Sequence, residues 1–428
     1  MKILNDYKEE IKYFINSKKY LITIIIVAIL SYGFTVTHYS IGIDDLAFDR
    51  YVHGTYILSA KRWGTWLLYN VLQINEFTPF WLDAIVAIFM VIIAVVLCAF
   101  IRKQYKDKIG IWGYVIFSSL LISNPLINQF FIFQSTNLTI VVSNLITLIC
   151  GIVIFENYFG ENKKFINIVC GLILTIPISM YESCAQTYIV FLFITMFIKI
   201  TQEKISNKKL FKYFCLSIMV LIIGIAVYFV TGKILIYILE KNDILNKNFA
   251  YSKSFWTSEE FKEMSLIEKA EGFYEKTLLE IFVHIYEYLP VAVFAIMSVL
   301  TIVLECIKMI KTDKVSRMIM VLGTIFSNFI LIFLLVAVLY RIQFSWIITT
   351  AFLGLYIYES FNSRRYLKYI IRLVAVMLII IQTRTLNQYF YNDYKRDEKE
   401  KFVANDIAIN VMKNCDYKNK PILCIATV

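Results

Sequence analysis

Apolar runs long enough to cross a bilayer recur from residue 20 to residue 383, and nothing else constrains the fold of this chain as tightly. In hydrocarbon every backbone N–H and C=O must find its partner inside the protein, so runs of this kind become helices. A crossing takes about 20 residues, and the hydropathy places about eleven of them. They lie near residues 20–38, 79–101, 109–123, 136–155, 165–180, 183–200, 213–239, 290–310, 318–339, 344–360 and 369–383. Hydrophobic residues make up 59% of the chain and charged residues only 18%, which excludes an ordinary soluble domain. The expected fold class is therefore an all-α integral membrane protein.

The net charge of +11 does not indicate a nucleic-acid partner, because the basic residues sit in alternate short loops. Lys2, Lys8, Lys12, Lys18 and Lys19 precede the first span; Arg102, Lys103, Lys106 and Lys108 follow the second. Further clusters follow the fourth, sixth, eighth and tenth spans, while the intervening short loops hold almost none. The positive-inside rule then puts the N-terminus of this multi-pass protein in the cytoplasm and the C-terminus outside. The first run is too long for a signal peptide and lacks a small-residue cleavage site, so it is expected to stay as an anchor. The eight cysteines show no CxxC or metal spacing and read as small apolar residues. Cys415 and Cys424 are the one pair placed to join across a turn.

Two domains follow. Residues 1–386 form the polytopic part, with large outer loops at 39–78 and 240–289; residues 387–428 form a small extracytoplasmic tail. In the second loop Thr257 with Glu260, and Ser265 with Glu268, read as capping boxes that open two short helices. The tail has a helix-like stretch at 399–413 and a strand-like one at 421–428, which fits either a truncated chain or a strand added to a small sheet.

Chemistry is expected in the first outer loop. Asp44 and Asp45 stand just past the first span, with Asp49 at helical spacing beyond. Carboxylates are costly beside lipid and usually line a wet cavity or do chemistry. The bland reading is a helix terminus or N-cap. Farther on, Tyr56, Ile57, Ala60, Trp63, Gly64, Leu67, Leu68, Val71 and Leu72 form one apolar face, with Lys61, Arg62, Thr65, Tyr69 and Gln73 mainly on the other. That pattern predicts an amphipathic helix lying flat at the outer surface. It holds Arg62 at headgroup height, where a guanidinium fork suits a phosphate better than an ammonium does. The alternative is surface anchoring alone. His38, one turn before the acidic pair, is either a hydrogen-bond partner or an interfacial ring.

No GxGxxG or GxxxxGK[ST] pattern occurs in a nucleotide-binding context. A bond-forming enzyme working on the outer face must then take an activated donor from the membrane. A lipid-phosphate sugar fits: its phosphate leaves without a proton, so one carboxylate base and one or two cations suffice. No cofactor is required by this reasoning, no metal cluster is visible, and a divalent metal stays open.

These residues have a resemblance. Asp44-Asp45, followed by Lys61-Arg62-Trp63 opening an apolar helix, resembles the polytopic glucosyltransferases that modify O-antigen in serotype conversion, membrane glycosyltransferases of the GT-C kind. The likeness continues through Asn124-Pro125 and residues 131–137, read as a polar outer loop, and through Tyr181-Glu182-Ser183. The resemblance implies transfer of a glucosyl group from undecaprenyl phosphate to a cell-surface glycan, on the outer face of the cytoplasmic (inner) membrane. It makes Asp44 or Asp45 the general base and Arg62 a donor-phosphate contact. The chain departs from that pattern at Phe133-Gln134-Ser135, where an acidic residue is expected.

Position supplies further candidates. Glu182, in a tight outer turn, is a second acidic site residue or a solvated turn residue. Arg341 and Arg384, at outer span ends, are phosphate contacts or snorkelling side chains. Tyr51, Trp63 and Trp66 stack on a sugar ring or anchor the interface. The expected partners are a polyprenyl-phosphate sugar, a surface glycan acceptor and membrane lipids. A transporter or flippase of lipid-linked sugars, or a surface-polysaccharide polymerase or ligase, would share the location. The lack of visible repeats and of mid-span ionisable residues counts against the transporter.

Overall fold

The structure, a computed structural model, describes residues 2–42, 45, 55–74, 78, 80–106, 108–242, 265–275, 288–312, 315–335, 340–361 and 365–414. Asp44, Asp49, Tyr51, the Thr257–Glu260 pair, Cys415, Cys424 and the strand-like stretch 421–428 lie outside them. Every regular element among the described residues is helical. Helix α1 (Lys2–Asn16) precedes α2 (Lys18–Thr37); α3 (Thr55–Ser59) and α4 (Trp63–Val71) occupy the first loop. Next come α5 (Trp81–Tyr105), α6 (Ile111–Ile122), α7 (Asn128–Phe131), α8 (Gln134–Phe159), α9 (Lys164–Met180), α10 (Cys184–Gln202) and α11 (Asn207–Lys241). The second half holds α12 (Leu266–Phe273), α13 (Leu289–Thr312), α14 (Val315–Phe326), α15 (Ile330–Leu335), α16 (Phe344–Ser360) and α17 (Arg365–Asn414).

Nine helical segments among the described residues are long and apolar enough to cross a membrane. The other two expected spans, α9 and α16, are helices of 17 residues each. Helices α6 and α16 are buried almost along their whole length and pack on each other at the centre. Helices α2, α13 and α17 pack against this pair, while α9 and α11 pack on each other and on α8 and α10; all five expose apolar stripes, such as Ile22, Ile26 and Ile29 on α2. An apolar surface of this extent is covered by lipid in a membrane protein.

One end of the bundle is basic. There Arg102 pairs with Glu10, and Lys103 bridges Asp6 at 3.4 Å and Glu156 at 3.1 Å. These contacts pin α1 across the end of α5, with Phe14 wholly buried. No apolar run of spanning length marks α1, although Ile3, Leu4, Tyr7, Ile11 and Phe14 recur at helical spacing.

Two expectations are corrected. The first loop is not one helix, because the backbone breaks between α3 and α4, where Lys61 takes a left-handed φ of 62°. The tail is not a span followed by a separate helix. Helix α17 runs unbroken for 50 residues, and no Gly or Pro interrupts it. At 1.5 Å per residue it is about 75 Å long, well beyond the roughly 30 Å hydrocarbon core. The capping box at Ser265 and Glu268 forms as read: Ser265 N–H donates to Glu268 Oε2 at 2.6 Å, and Glu268 N–H to Ser265 Oγ at 3.2 Å.

Candidate functional site

At the end opposite α1, the side of α4 that was assigned to water is packed on protein. Thr65 and Tyr69 are 1% and 0% exposed, whereas Leu67, Val71 and Leu72 face outward. The reason is hydrogen bonding. Thr65 Oγ1 donates to the Met180 carbonyl at 2.8 Å, and the Tyr69 hydroxyl to the Ser135 carbonyl at 2.8 Å. Gly64 permits the approach: a Cβ there would lie 2.3 Å from Ser179 Oγ and 2.9 Å from the Ile176 carbonyl oxygen. Helix α4 therefore bridges the end of α9 and the start of α8, and two polar groups assemble at its two ends.

The first is built on Arg62. Its Nη2 lies 3.2 Å from Glu182 Oε2, and its Nε donates to the same oxygen at 3.3 Å. The guanidinium also sits 5.0 Å from the centroid of the Tyr181 ring. Glu182 Oε1 accepts from the Tyr228 hydroxyl at 3.2 Å. Both charged side chains keep about a quarter of their surface exposed (24% and 26%), so the group is a partly wet rim. Two candidates read separately from the sequence are thus one ion pair across 120 positions. Lys61 lays its stem on Gly232 of α11. Trp63 packs with Leu58 and Leu239.

The second group is built on Asp45, which is 5% exposed. Oδ2 accepts from the Gly42 and Gln134 N–H groups, both at 3.1 Å, and Oδ1 from the Ser135 N–H at 2.9 Å. Gln134 and Ser135 open α8, so Asp45 caps from a distance a helix whose first N–H groups have no partner of their own. The negative carboxylate also faces the positive end of the α8 dipole. Burial raises its pKa, and the N–H groups of Ser135, Gln134 and Gly42 pull against that rise. The chain passes tightly here: a Cβ on Gly42 would meet the Ile132 carbonyl oxygen at 2.4 Å. Arg341 lies over the Phe133 ring, 5.3 Å from its centroid, immediately before the capped turn.

Asp83 joins this group and was missed in the sequence. It lies in the first turn of α5 and is 1% exposed. Thr35 Oγ1 donates to it at 3.1 Å, Asn137 Nδ2 at 3.1 Å and Gln134 Nε2 at 3.4 Å. Gln134 therefore serves two carboxylates, Asp45 through its backbone and Asp83 through its side chain. The resemblance expects an acidic residue within Phe133-Gln134-Ser135; one at 134 would add a third carboxyl group to this buried space. Among the described residues, no three His, Cys, Asp or Glu side chains gather as a metal site.

The segment read as a polar outer loop is buried instead. Asn124 caps a 3₁₀ turn by accepting from the Leu126 N–H at 3.0 Å. Asn128 donates to Asp393 of α17 at 3.0 Å. Helix α17 closes this side further: the Tyr394 ring meets the edge of His38, 5.4 Å between centroids, and Lys401 reaches over Tyr39 at 4.8 Å. His38 stacks on Phe34 at 4.5 Å. Arg384 stands apart, exposed on the same stripe of α17 as Leu373, Met377 and Ile380.

The family model described as Glucosyl transferase GtrII matches residues 33–358. That range takes in His38, Asp44, Asp45, Arg62, Trp63, Glu182 and Arg341, and leaves out Arg384 and α17. No curated protein and no solved structure matches the chain.

Proposed function

The chain belongs to the GtrII glucosyl transferase family, and on that premise we propose that it moves a glucosyl group from a polyprenyl-phosphate donor to a cell-surface glycan. The reading takes all eleven apolar helices as spans, in a GT-C-like layout, with the site on the outer face of the cytoplasmic membrane. N-terminus in and C-terminus out follows from the Lys and Arg distribution. The observation that carries the proposal is the family match over residues 33–358, which encloses the polar rim at the end opposite the basic face.

The chemistry is an inverting displacement. An acceptor hydroxyl gives its proton to a carboxylate as its oxygen bonds to the anomeric carbon. The bond from that carbon to the phosphate oxygen breaks, and polyprenyl phosphate leaves with the electron pair. Asp45 has both oxygens engaged by backbone N–H groups, which suits holding geometry more than taking a proton. The base is then Asp44, its neighbour in the chain. Arg62 neutralises the departing phosphate and is held on the rim by Glu182 and Tyr181 until the donor arrives. Arg341 is a second cation for the phosphate; Arg384 meets lipid headgroups. In this reading His38 and Trp63 are contacts for the sugar substrates.

Arg62 provides the test. In a transfer assay with polyprenyl-phosphate glucose, Arg62→Ala should lower kcat/KM about a hundredfold, the scale of one lost charge-stabilising donor. Arg62→Lys should recover only part, since an ammonium cannot make the fork. Wild-type kinetics in Arg62→Ala would remove Arg62 from the site.

A further inference from the structure

At the basic end, a cavity of about 540 Å³ opens between the start of α9, the turn before it and the start of α11. Its size falls within the roughly 300–1,000 Å³ of small-molecule sites. Lys164, Lys208, Lys209 and Lys212 line it together with Tyr158 and Asn162, and no acidic residue does. The neighbouring carboxylates are taken: Glu156 by Lys103, Glu161 by Lys163 and Glu203 by Lys199. Lys164, Lys208 and Lys212 form no ion pair with a described residue. The walls are tied together, since the Tyr158 hydroxyl donates to the Lys209 carbonyl at 3.0 Å. Helices α9 and α11 both begin at this cavity, so their positive ends add to the lysine charge. Phe165 and Phe211, next to the lining lysines, are 75% and 65% exposed. The apolar, lipid-facing surface therefore begins at the cavity's edge.

We propose that this cavity binds the phosphate headgroup of an anionic glycerophospholipid, whose acyl chains lie along the apolar flank beside Phe165 and Phe211. Lys164, Lys208, Lys209 and Lys212 have no acid partner among the described residues; four such ammonium groups select a phosphate, and the adjoining apolar surface selects one carried on a lipid. The site is separate from the glucosyl-transfer rim, so the inference does not depend on that reading.

Native mass spectrometry of the purified full-length protein, titrated with phosphatidylglycerol or phosphatidylcholine, tests it. Each lysine near a lipid phosphate contributes roughly a fivefold gain in affinity. Lys164→Gln/Lys208→Gln/Lys212→Gln should then weaken phosphatidylglycerol binding on the order of a hundredfold. A control with equal charge loss at the same end, Lys8→Gln/Lys12→Gln/Lys18→Gln, should bind as wild type does. All six side chains are exposed, so both variants should stay folded and monodisperse. Equal loss in the control would make the effect diffuse charge and overturn the site. So would equal binding of phosphatidylcholine. Inorganic phosphate displacing the lipid at matched concentration would reassign the cavity to a free anion.

Discussion

The Asp45 cap makes a prediction that separates holding from chemistry. Three backbone N–H groups, at 3.1, 3.1 and 2.9 Å, converge on one buried carboxylate. Asp45→Ala removes the acceptor and leaves all three donors in a dry site. Each such group costs about 1–3 kcal/mol. Part of that is returned, because the burial that raises the Asp45 pKa is a cost the wild type bears and the alanine does not. A net of about 3–5 kcal/mol is expected for Ala. Asp45→Asn keeps one acceptor oxygen but points its amide N–H at a donor, for about 1–3 kcal/mol. The loss is local, so amide hydrogen exchange at the start of α8 reads it directly. At 1.36 kcal/mol per tenfold, the peptide containing Gln134 and Ser135 should exchange about five- to hundredfold faster in the Asn variant, and faster still in the Ala variant. Unchanged exchange in Asp45→Ala, with transfer abolished, would refute the cap and make Asp45 the base.

Other outcomes follow from the same contacts. Gly64→Ala should destabilise by about 1–3 kcal/mol and depress transfer, because its methyl group collides with Ser179 and the Ile176 carbonyl; thermal inactivation checks this, and an unaffected variant contradicts the close packing of α4 on α9. A double-mutant cycle on Arg62 and Glu182 should give a coupling near 0.5–1 kcal/mol, the range for a partly exposed pair; zero coupling would separate them. Asp393→Ala should speed hydrogen exchange in α17 beyond Leu386 by freeing it from Asn128, and no change would mean the tail is docked by its aromatic residues alone.

Legibility of the sequence depended on the range of the interaction. Spans were readable because a membrane helix satisfies its backbone within one segment; among the described residues the expected spans fall on helical segments, the one near 318–339 being divided into α14, a 3₁₀ turn at Ser327–Phe329 and α15. The Ser265–Glu268 box was readable because its two halves are three residues apart. Asp45 was not: its donors lie 89 and 90 positions away, and no local pattern announces a cap supplied across the fold. Glu182 was picked from its place in a turn and Arg62 from the helical pattern of the first loop, and only packing of α4 on α9 makes them a pair. Asp83 was hidden by the apolar run around it. The length of α17 was available in the absence of Gly and Pro from 365 to 414, but the polar stretch that starts at residue 387 reads as a boundary. The break at Lys61 left no trace, since the apolar period continues through it.

The most direct test of the account is glucose transfer by the purified protein in vesicles, with labelled polyprenyl-phosphate glucose in one arm, a nucleotide-linked glucose in the other, and extracted surface glycan as acceptor. Transfer from the lipid donor alone, abolished in folded Asp44→Asn, is the predicted result. Transfer from the nucleotide sugar, or lipid-donor binding without any glycosylated product, would contradict it.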